Sequence, residues 1–275
     1  MRNHIFNRRK RSAAIMMLTG VFLTGIVLAG FLLGGEKLGV DLDARNQGPS
    51  YAHLFGTDWL GRDMFARTVK GLSLSLAVGI IAALTSSLIA FILSSLAGWS
   101  RWVDQLVTFL VDLFLSIPHI VLLLMISFAF GGGFIGVTAG LALTHWPTMT
   151  RVLRAEVMQV KQTEYTQISK RMGKPGWWMV VHHYLPHLLP QLFIGFILLF
   201  PHAVLHEAAI TFLGFGLPEE QPAIGVILSE SMQYLSSGMW WLAFFPGLSL
   251  LLMAAAFETL GRNIRRWMDP FHGRK

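Results

Sequence analysis

The stretch LFLSIPHIVLLLMISFAFGGGFIGVTAGLALTHWPTMT (113–150) contains no Asp, Glu, Lys or Arg. A helix rises about 1.5 Å per residue and needs roughly 20 apolar residues to cross about 30 Å of hydrocarbon, so this run is too long for one crossing. It divides at Gly131-Gly132-Gly133, a natural turn. Working outward, further uncharged runs cover 12–35, 71–100, 175–206 and 231–257. Together they predict an all-α polytopic membrane protein with six transmembrane helices, near 13–33, 72–98, 105–130, 133–149, 189–212 and 240–260.

Composition points the same way. Of 275 residues, 53% are hydrophobic and 13% charged, against about a quarter charged in ordinary soluble domains. The segment at 34–71, the largest between crossings on the outer side, is too short to bury a soluble core. Basic residues cluster at Arg2, Arg8, Arg9, Lys10 and Arg11, at Arg101, across 151–174, and at Arg262, Arg265, Arg266, Arg274 and Lys275. Most of the 22 Lys and Arg therefore lie on one side, which the positive-inside bias makes cytoplasmic, with both termini there. The net charge of +7 is a topology signal, because it sits in short clusters beside the crossings; nucleic-acid binding is not expected. The apolar stretch at 13–33 is longer than a signal-peptide h-region and no small-residue cleavage site follows it, so it reads as an uncleaved first span. The chain has no cysteine, which excludes disulfides and thiolate metal sites. Trp99, Trp102, Trp240, Trp241 and Trp267 fall near span ends, where indoles anchor at the interface, and membrane lipid is the expected surrounding.

Two polar segments carry recognisable patterns. In the outer one, Phe55-Gly56-Thr57-Asp58-Trp59-Leu60-Gly61-Arg62-Asp63, the glycines permit tight turns, and Asp58, Arg62 and Asp63 are placed to pair with each other or with a partner protein. In the inner one, Glu164 to Gly173, Tyr165, Ile168 and Met172 make one apolar stripe on a short helix whose other positions include Glu164, Lys170 and Arg171. Gly173 and Pro175 end that helix. Its stripe suits a groove on a partner or, equally by pattern, the anionic inner leaflet.

Ionisable residues inside the apolar runs are the candidates for substrate contact, because such groups are costly in lipid and usually face a bundle interior or a wet cavity. In the fifth span these are His202, His206 and Glu207. His202 and His206 share one helix face at i and i+4, the spacing that lets two imidazoles reach one metal or chelate, and Pro201 loosens the backbone before them. At about 1.5 Å per residue from 189, His202 lies roughly 20 Å above the inner face. His145, in the fourth span, lies nearer the cytoplasmic end and is not expected to share a ligand shell with His202. Asp112, His119 and Glu258 are expected to pair across helices or line the pathway, and His182, His183 and His187 to sit at the inner interface. An intramembrane metalloprotease would need His-Glu-x-x-His, and His206-Glu207-Ala208-Ala209-Ile210 lacks the second histidine. An ion-driven carrier, a distant alternative, would show inverted repeats, and none is evident. No phosphate-binding Gly-x-x-x-x-Gly-Lys-Ser/Thr loop occurs, so the chain is not expected to hydrolyse ATP or to bind a cofactor.

These patterns resemble one family along most of the chain. Phe55 to Asp63, continuing through Arg67, Gly71, Ser73 and Gly79, resembles the G-T-D-x-x-G-R-D signature of ABC-type import permeases of the oligopeptide, dipeptide and nickel group. Glu164 to Gly173 followed by His183-Tyr184-Leu185-Pro186 resembles the group's ATPase-coupling loop, although its usual Glu-Ala-Ala falls on Gln167-Ile168-Ser169 and its usual Ile on His183. Val103-Asp104 to Asp112 with Ser116-Ile117-Pro118, Phe212-Leu213-Gly214-Phe215-Gly216, and Met268-Asp269-Pro270 resemble further family patterns. The His-x-x-Leu-His of the fifth span and His145-Trp146 of the fourth are similar to nickel-transporting members. The resemblance implies a type I ABC importer permease in the bacterial inner membrane, paired with a second permease subunit, two ATPases that use ATP and Mg, and an extracytoplasmic solute-binding protein. It divides the chain into a basic tail (1–12), a first helix (13–33), an extracytoplasmic segment (34–71), a core (72–262) with a coupling loop (151–187), and a second tail (263–275). The cargo it implies is nickel as a small chelate, with short peptides as the alternative.

Overall fold

A computed structural model of the chain describes residues 2–33 and 39–268, and side chains from 11 to 266 within those bounds. Asp269-Pro270, Arg274 and Lys275 lie outside the described residues, as do the side chains of Arg2 to Lys10. Ten helices organise the described residues, which contain no strand. Helix α1 (Arg2–Leu32) lies at the periphery against α2 (Met64–Ala97) and α10 (Trp241–Met268), with Met17, Leu18, Phe31 and Leu32 facing outward. Such a face suits lipid.

Helix α2 is the central element, packed between α5 (Gly133–Gln162) and α8 (Leu185–Phe212). It starts at residue 64 because Asp63 caps it, its carboxylate accepting the Ala66 N–H at 2.9 Å. Small residues let neighbouring backbones approach it: Ser75, Gly79, Ala82, Ala83, Ser86, Ala90 and Ser94 are buried. Ser86 donates across the interface to the Ala142 carbonyl at 2.6 Å. Gly79 faces Phe200 and Val204 of α8.

The third expected span, 105–130, is not one helix. It is split into α3 (Arg101–Ser116) and α4 (His119–Ala129), bent by 97°. Pro118 brings no N–H to continue the ladder, and Ile117 before it is held extended at φ −92°, ψ 135°. Beyond the break, α4 lies close along α5, where Gly136 and Gly140 meet the carbonyls of Ser127 and Leu123. At the opposite end of α5, Asp104 of α3 holds Arg154 through two hydrogen bonds of 2.5 and 2.8 Å.

The stretch from Gly176 to Phe212 is longer than the expected span at 189–212, because α7 (Gly176–Met179), a π-helical turn at Val180–Tyr184 and α8 run on without interruption. Among the described residues, four stretches are long and apolar enough to cross a membrane: Arg11–Leu32, Met64–Ala97, Gly176–Phe212 and Trp241–Arg266. The α3–α4 pair adds a fifth if it is one broken crossing. Helix α5 has 30 residues, but its second half carries Arg151, Arg154, Glu156 and Lys161. Six crossings are reached only by counting both.

The α4–α5 contact yields a test. A Cβ at Gly136 would sit 2.5 Å from the Ser127 carbonyl oxygen, which is backbone and cannot rotate away. Gly136→Leu should destabilise the purified chain by about 1–3 kcal/mol, the usual overpacking cost, read as a lowered unfolding midpoint in detergent. Gly20→Leu, where nothing lies within 4 Å, should leave the midpoint unchanged.

Candidate functional site

Three polar constellations stand out from the apolar bundle. The first is the 39–63 segment, folded over the start of α2. Gly61, at φ +75°, takes a conformation that side chains avoid, and a Cβ there would land on the Asp41 carbonyl. That turn aims Asp58 inward. Its carboxylate is wholly buried and accepts from the Leu60 and Arg62 N–H groups at 2.9 Å, from Arg62 Nε at 2.7 Å and from Arg67 of α2 at 2.9 Å. Arg67 passes the charge on to Glu230 of α9 (Ile224–Met232) at 2.8 Å. Trp59 stacks on Tyr234 at 4.4 Å, and Arg62 lies over its ring. Asp63, besides capping α2, holds His53 at 2.9 Å. The expected pairing of Asp58 with Arg62 is formed within the chain, and the network fastens this segment to α2 and α9.

At the opposite end of the bundle lies α6 (Glu164–Arg171). It closes as expected: Gly173 is left-handed at φ +77°, and Lys174 N–H reaches back to the Ser169 carbonyl at 3.2 Å. Tyr165, Ile168 and Met172 are 47%, 56% and 73% exposed, an apolar stripe facing out of the chain. The helix is held from behind by His183, whose Nε2 lies 2.9 Å from Ser169 Oγ and whose ring packs against Tyr165 and Trp178. His183 thus has a positioning role that its place in the sequence did not reveal. Near the same end, Lys161 donates to the Ala97 carbonyl, and burial lowers its pKa from the ordinary value. The hydrogen bonds that Arg154 donates to Asp104 raise the pKa of its guanidinium.

The third constellation lies among α4, α5 and α8. The rings of His119, His145 and His206 meet with centroids 4.7, 4.7 and 5.3 Å apart. His145 is therefore brought against His206, and the partner expected for His206, namely His202, contributes its backbone carbonyl, 2.7 Å from His206 Nδ1. The His202 side chain is exposed. Glu207 departs from the pathway role expected of it. One residue further along α8 than His206, it points into the bundle, fully buried, and accepts from Ser75 of α2 at 2.6 Å and Thr211 at 2.9 Å. Thr211 also receives the Leu217 N–H, so Glu207 ties α2, α8 and the following turn together. Of the remaining charges, Asp112 pairs with Arg151 and Glu258 with Arg262, both at the surface.

Residues 75–270 match the family of binding-protein-dependent transport system inner membrane components. The chain belongs to this family. It is similar to the dipeptide transport system permease protein of Alkalihalophilus pseudofirmus, 34% identical over 82% of this chain and 74% of the relative. A putative peptide transport system permease protein of Brucella suis is 32% identical over 82% and 76%, and the dipeptide transport system permease protein of Bacillus subtilis 32% identical over 83% and 72%. As a binding-protein-dependent permease the chain works with a solute-binding protein, and ATP is hydrolysed by partner ATPases rather than by this subunit. None of these relatives is named for nickel.

Two of the permease's ion pairs differ in surroundings, and that difference is measurable. Asp58 and Arg67 are 0% and 4% exposed, whereas Asp112 and Arg151 are each 61% exposed. Asp58→Ala removes the buried carboxylate that Arg62 and Arg67 share, leaves Glu230 as their one remaining acidic partner, and should cost about 3–5 kcal/mol of stability. Asp112→Ala should cost under about 1 kcal/mol. Equal shifts in unfolding midpoint would contradict this account of the network.

Proposed function

We propose that this chain is one permease subunit of an ATP-driven importer of short peptides, paired with a second permease in the bacterial inner membrane. The names of the relatives over four-fifths of the chain support peptides as cargo. The observation that carries the mechanism is the outward-facing Tyr165, Ile168 and Met172 stripe on α6. A short helix of this kind docks into a groove on a partner, here an ATPase subunit on the cytoplasmic side, as an amphipathic helix lays its apolar face into a complementary surface. Closure of the ATPase pair on ATP draws the two coupling helices together. The motion passes through His183 and the π turn at Val180–Tyr184 into α8, and opens the pathway toward the solute-binding protein. Substrate biases that equilibrium only through unequal affinity for the inward and outward states. A second reading, uptake of nickel as a small chelate, is favoured by the histidine cluster on α4, α5 and α8.

Withdrawing each stripe residue from water contributes about 1 kcal/mol or more, so replacing all three with Ser should weaken ATPase docking roughly a hundredfold. The assembled importer in proteoliposomes, supplied with its binding protein and a labelled dipeptide, should then lose transport while the permease pair remains inserted. Undiminished transport and ATPase co-purification would overturn the coupling role of α6. Running the intact importer with dipeptide, free Ni²⁺ and a nickel chelate decides the cargo: uptake confined to the nickel forms would favour the second reading.

Orientation is accessible because the chain has no native cysteine. Single cysteines at Leu42 and Glu220, both exposed, should react with an impermeant thiol reagent from outside intact cells, and one at Lys161 only from inside. Labelling of Lys161→Cys from outside would place α6 on the wrong side for coupling.

A further inference from the structure

The histidines of α4, α5 and α8 differ from an ordinary set of buried rings in how their nitrogens are disposed. His145 Nδ1 lies 2.8 Å from the Leu141 carbonyl and His206 Nδ1 lies 2.7 Å from that of His202. A carbonyl only accepts, so both Nδ1 atoms carry the proton and both Nε2 atoms present a lone pair. His145 Nε2 is buried with no hydrogen-bond partner, and so is His119 Nε2. One ring nitrogen from each of His119, His145 and His206 falls within 4.8 Å of the other two. Two buried ring nitrogens without partners are costly, and three convergent imidazoles are an arrangement that a cation satisfies.

We propose that His119, His145 and His206 form a three-imidazole binding site for a late first-row transition-metal dication of the Ni²⁺, Zn²⁺ or Cu²⁺ class. Imidazole is a good donor for these ions, and no carboxylate belongs to the group to favour Mg²⁺ or Ca²⁺. The Nδ1–H bonds to Leu141 and His202 supply the outer-shell restraint that fixes ring tautomer and direction around a bound metal. Nitrogen donors about 2.1 Å from a tetrahedral ion lie about 3.4 Å apart, so the rings close inward by about an ångström on binding. Three protein ligands leave at least one position open, and His119 and His206 are only half-buried. A labile ion, or one that keeps part of a small chelator, fits such a site better than a permanent structural ion does.

The placement of His119 makes the site sensitive to conformation. It is the first residue of α4, immediately after the 97° bend at Ile117-Pro118, whereas His145 and His206 sit within long helices. A change in that bend moves one donor relative to the other two. The cation then binds the conformation that closes all three more tightly, and favours it by the same ratio.

The inference concerns this chain's own ligands and stands apart from the peptide reading, so the test reads metal directly. The permease pair is purified in nanodiscs and titrated with Co²⁺, following its visible ligand-field absorption, and with Ni²⁺ by calorimetry. The wild type should take up one ion with a tetrahedral or five-coordinate cobalt spectrum. His145→Asn and His206→Asn keep a donor near the position of Nδ1–H for the carbonyl and delete Nε2, so the fold is retained. Each, like His119→Asn, should weaken binding by more than the roughly tenfold that outer-shell changes cost. His202→Ala leaves its backbone carbonyl in place and should bind as the wild type does. Absence of a cobalt spectrum in a folded wild-type pair, or unchanged binding in the three Asn variants, would overturn the site. Loss in His202→Ala with retention in His119→Asn would replace it with a pair on α8 alone. Dipeptide transport by the same variants is scored separately, so failure of the metal site and failure of the peptide reading are told apart.

Discussion

Hydrocarbon offers the backbone no hydrogen-bond partner, and the rest of this structure depends on that constraint. Every crossing stretch must satisfy its N–H and C=O groups internally, which is why the described residues are helical throughout the apolar runs. Departures from helix are correspondingly informative. The break at Ile117-Pro118 and the π turn at Val180–Tyr184 both sit where a polar constellation adjoins the bundle: the first carries His119 to the histidine cluster, and the second carries His183 to the back of α6. Proline supplies the cause at the break, since it deletes a donor that lipid could never have replaced.

The same constraint governs the side chains. Apolar surface between helices gains little by packing when lipid tails are as apolar as the helices themselves, so small residues and interhelical hydrogen bonds hold α2 to its neighbours. Ser75 to Glu207 and Ser86 to the Ala142 carbonyl are bonds of this kind. Glu207 illustrates how position on a helix decides a role. It follows His206 directly, yet a rotation of about 100° per residue sends one side chain into the histidine cluster and the other into the α2 interface. The network of Asp58, Arg62, Arg67 and Glu230 does at the start of α2 what serines do further along it, joining segments far apart in sequence through charges that would be costly alone.

At the other end, Tyr165, Ile168 and Met172 are left uncovered by the described residues. The helix that carries them is short, ended by Gly173 and braced by His183, so its apolar stripe is presented in a fixed direction rather than on a loose loop. A rigid, braced stripe is suited to passing force into α8.

Much of this was legible in the sequence, because the patterns concerned are local. Uncharged runs identify apolar helical stretches by length, Gly173 marks a helix end by its own chemistry, and the Phe55 to Asp63 and Glu164 to Gly173 segments carry the family likeness in consecutive residues. Spacing along one helix also suggested that His202 and His206 would act as a pair. Only the tertiary structure decided which histidines meet: His119, His145 and His206 are separated by tens of residues, and their rings converge because the Pro118 bend and the close α4–α5 contact at Gly136 and Gly140 bring three helices together. Glu230 as the far anchor of Arg67 and His183 as the brace of α6 were hidden for the same reason. Helix periodicity reports which residues share a face, whereas the partner of that face is set by packing among distant segments.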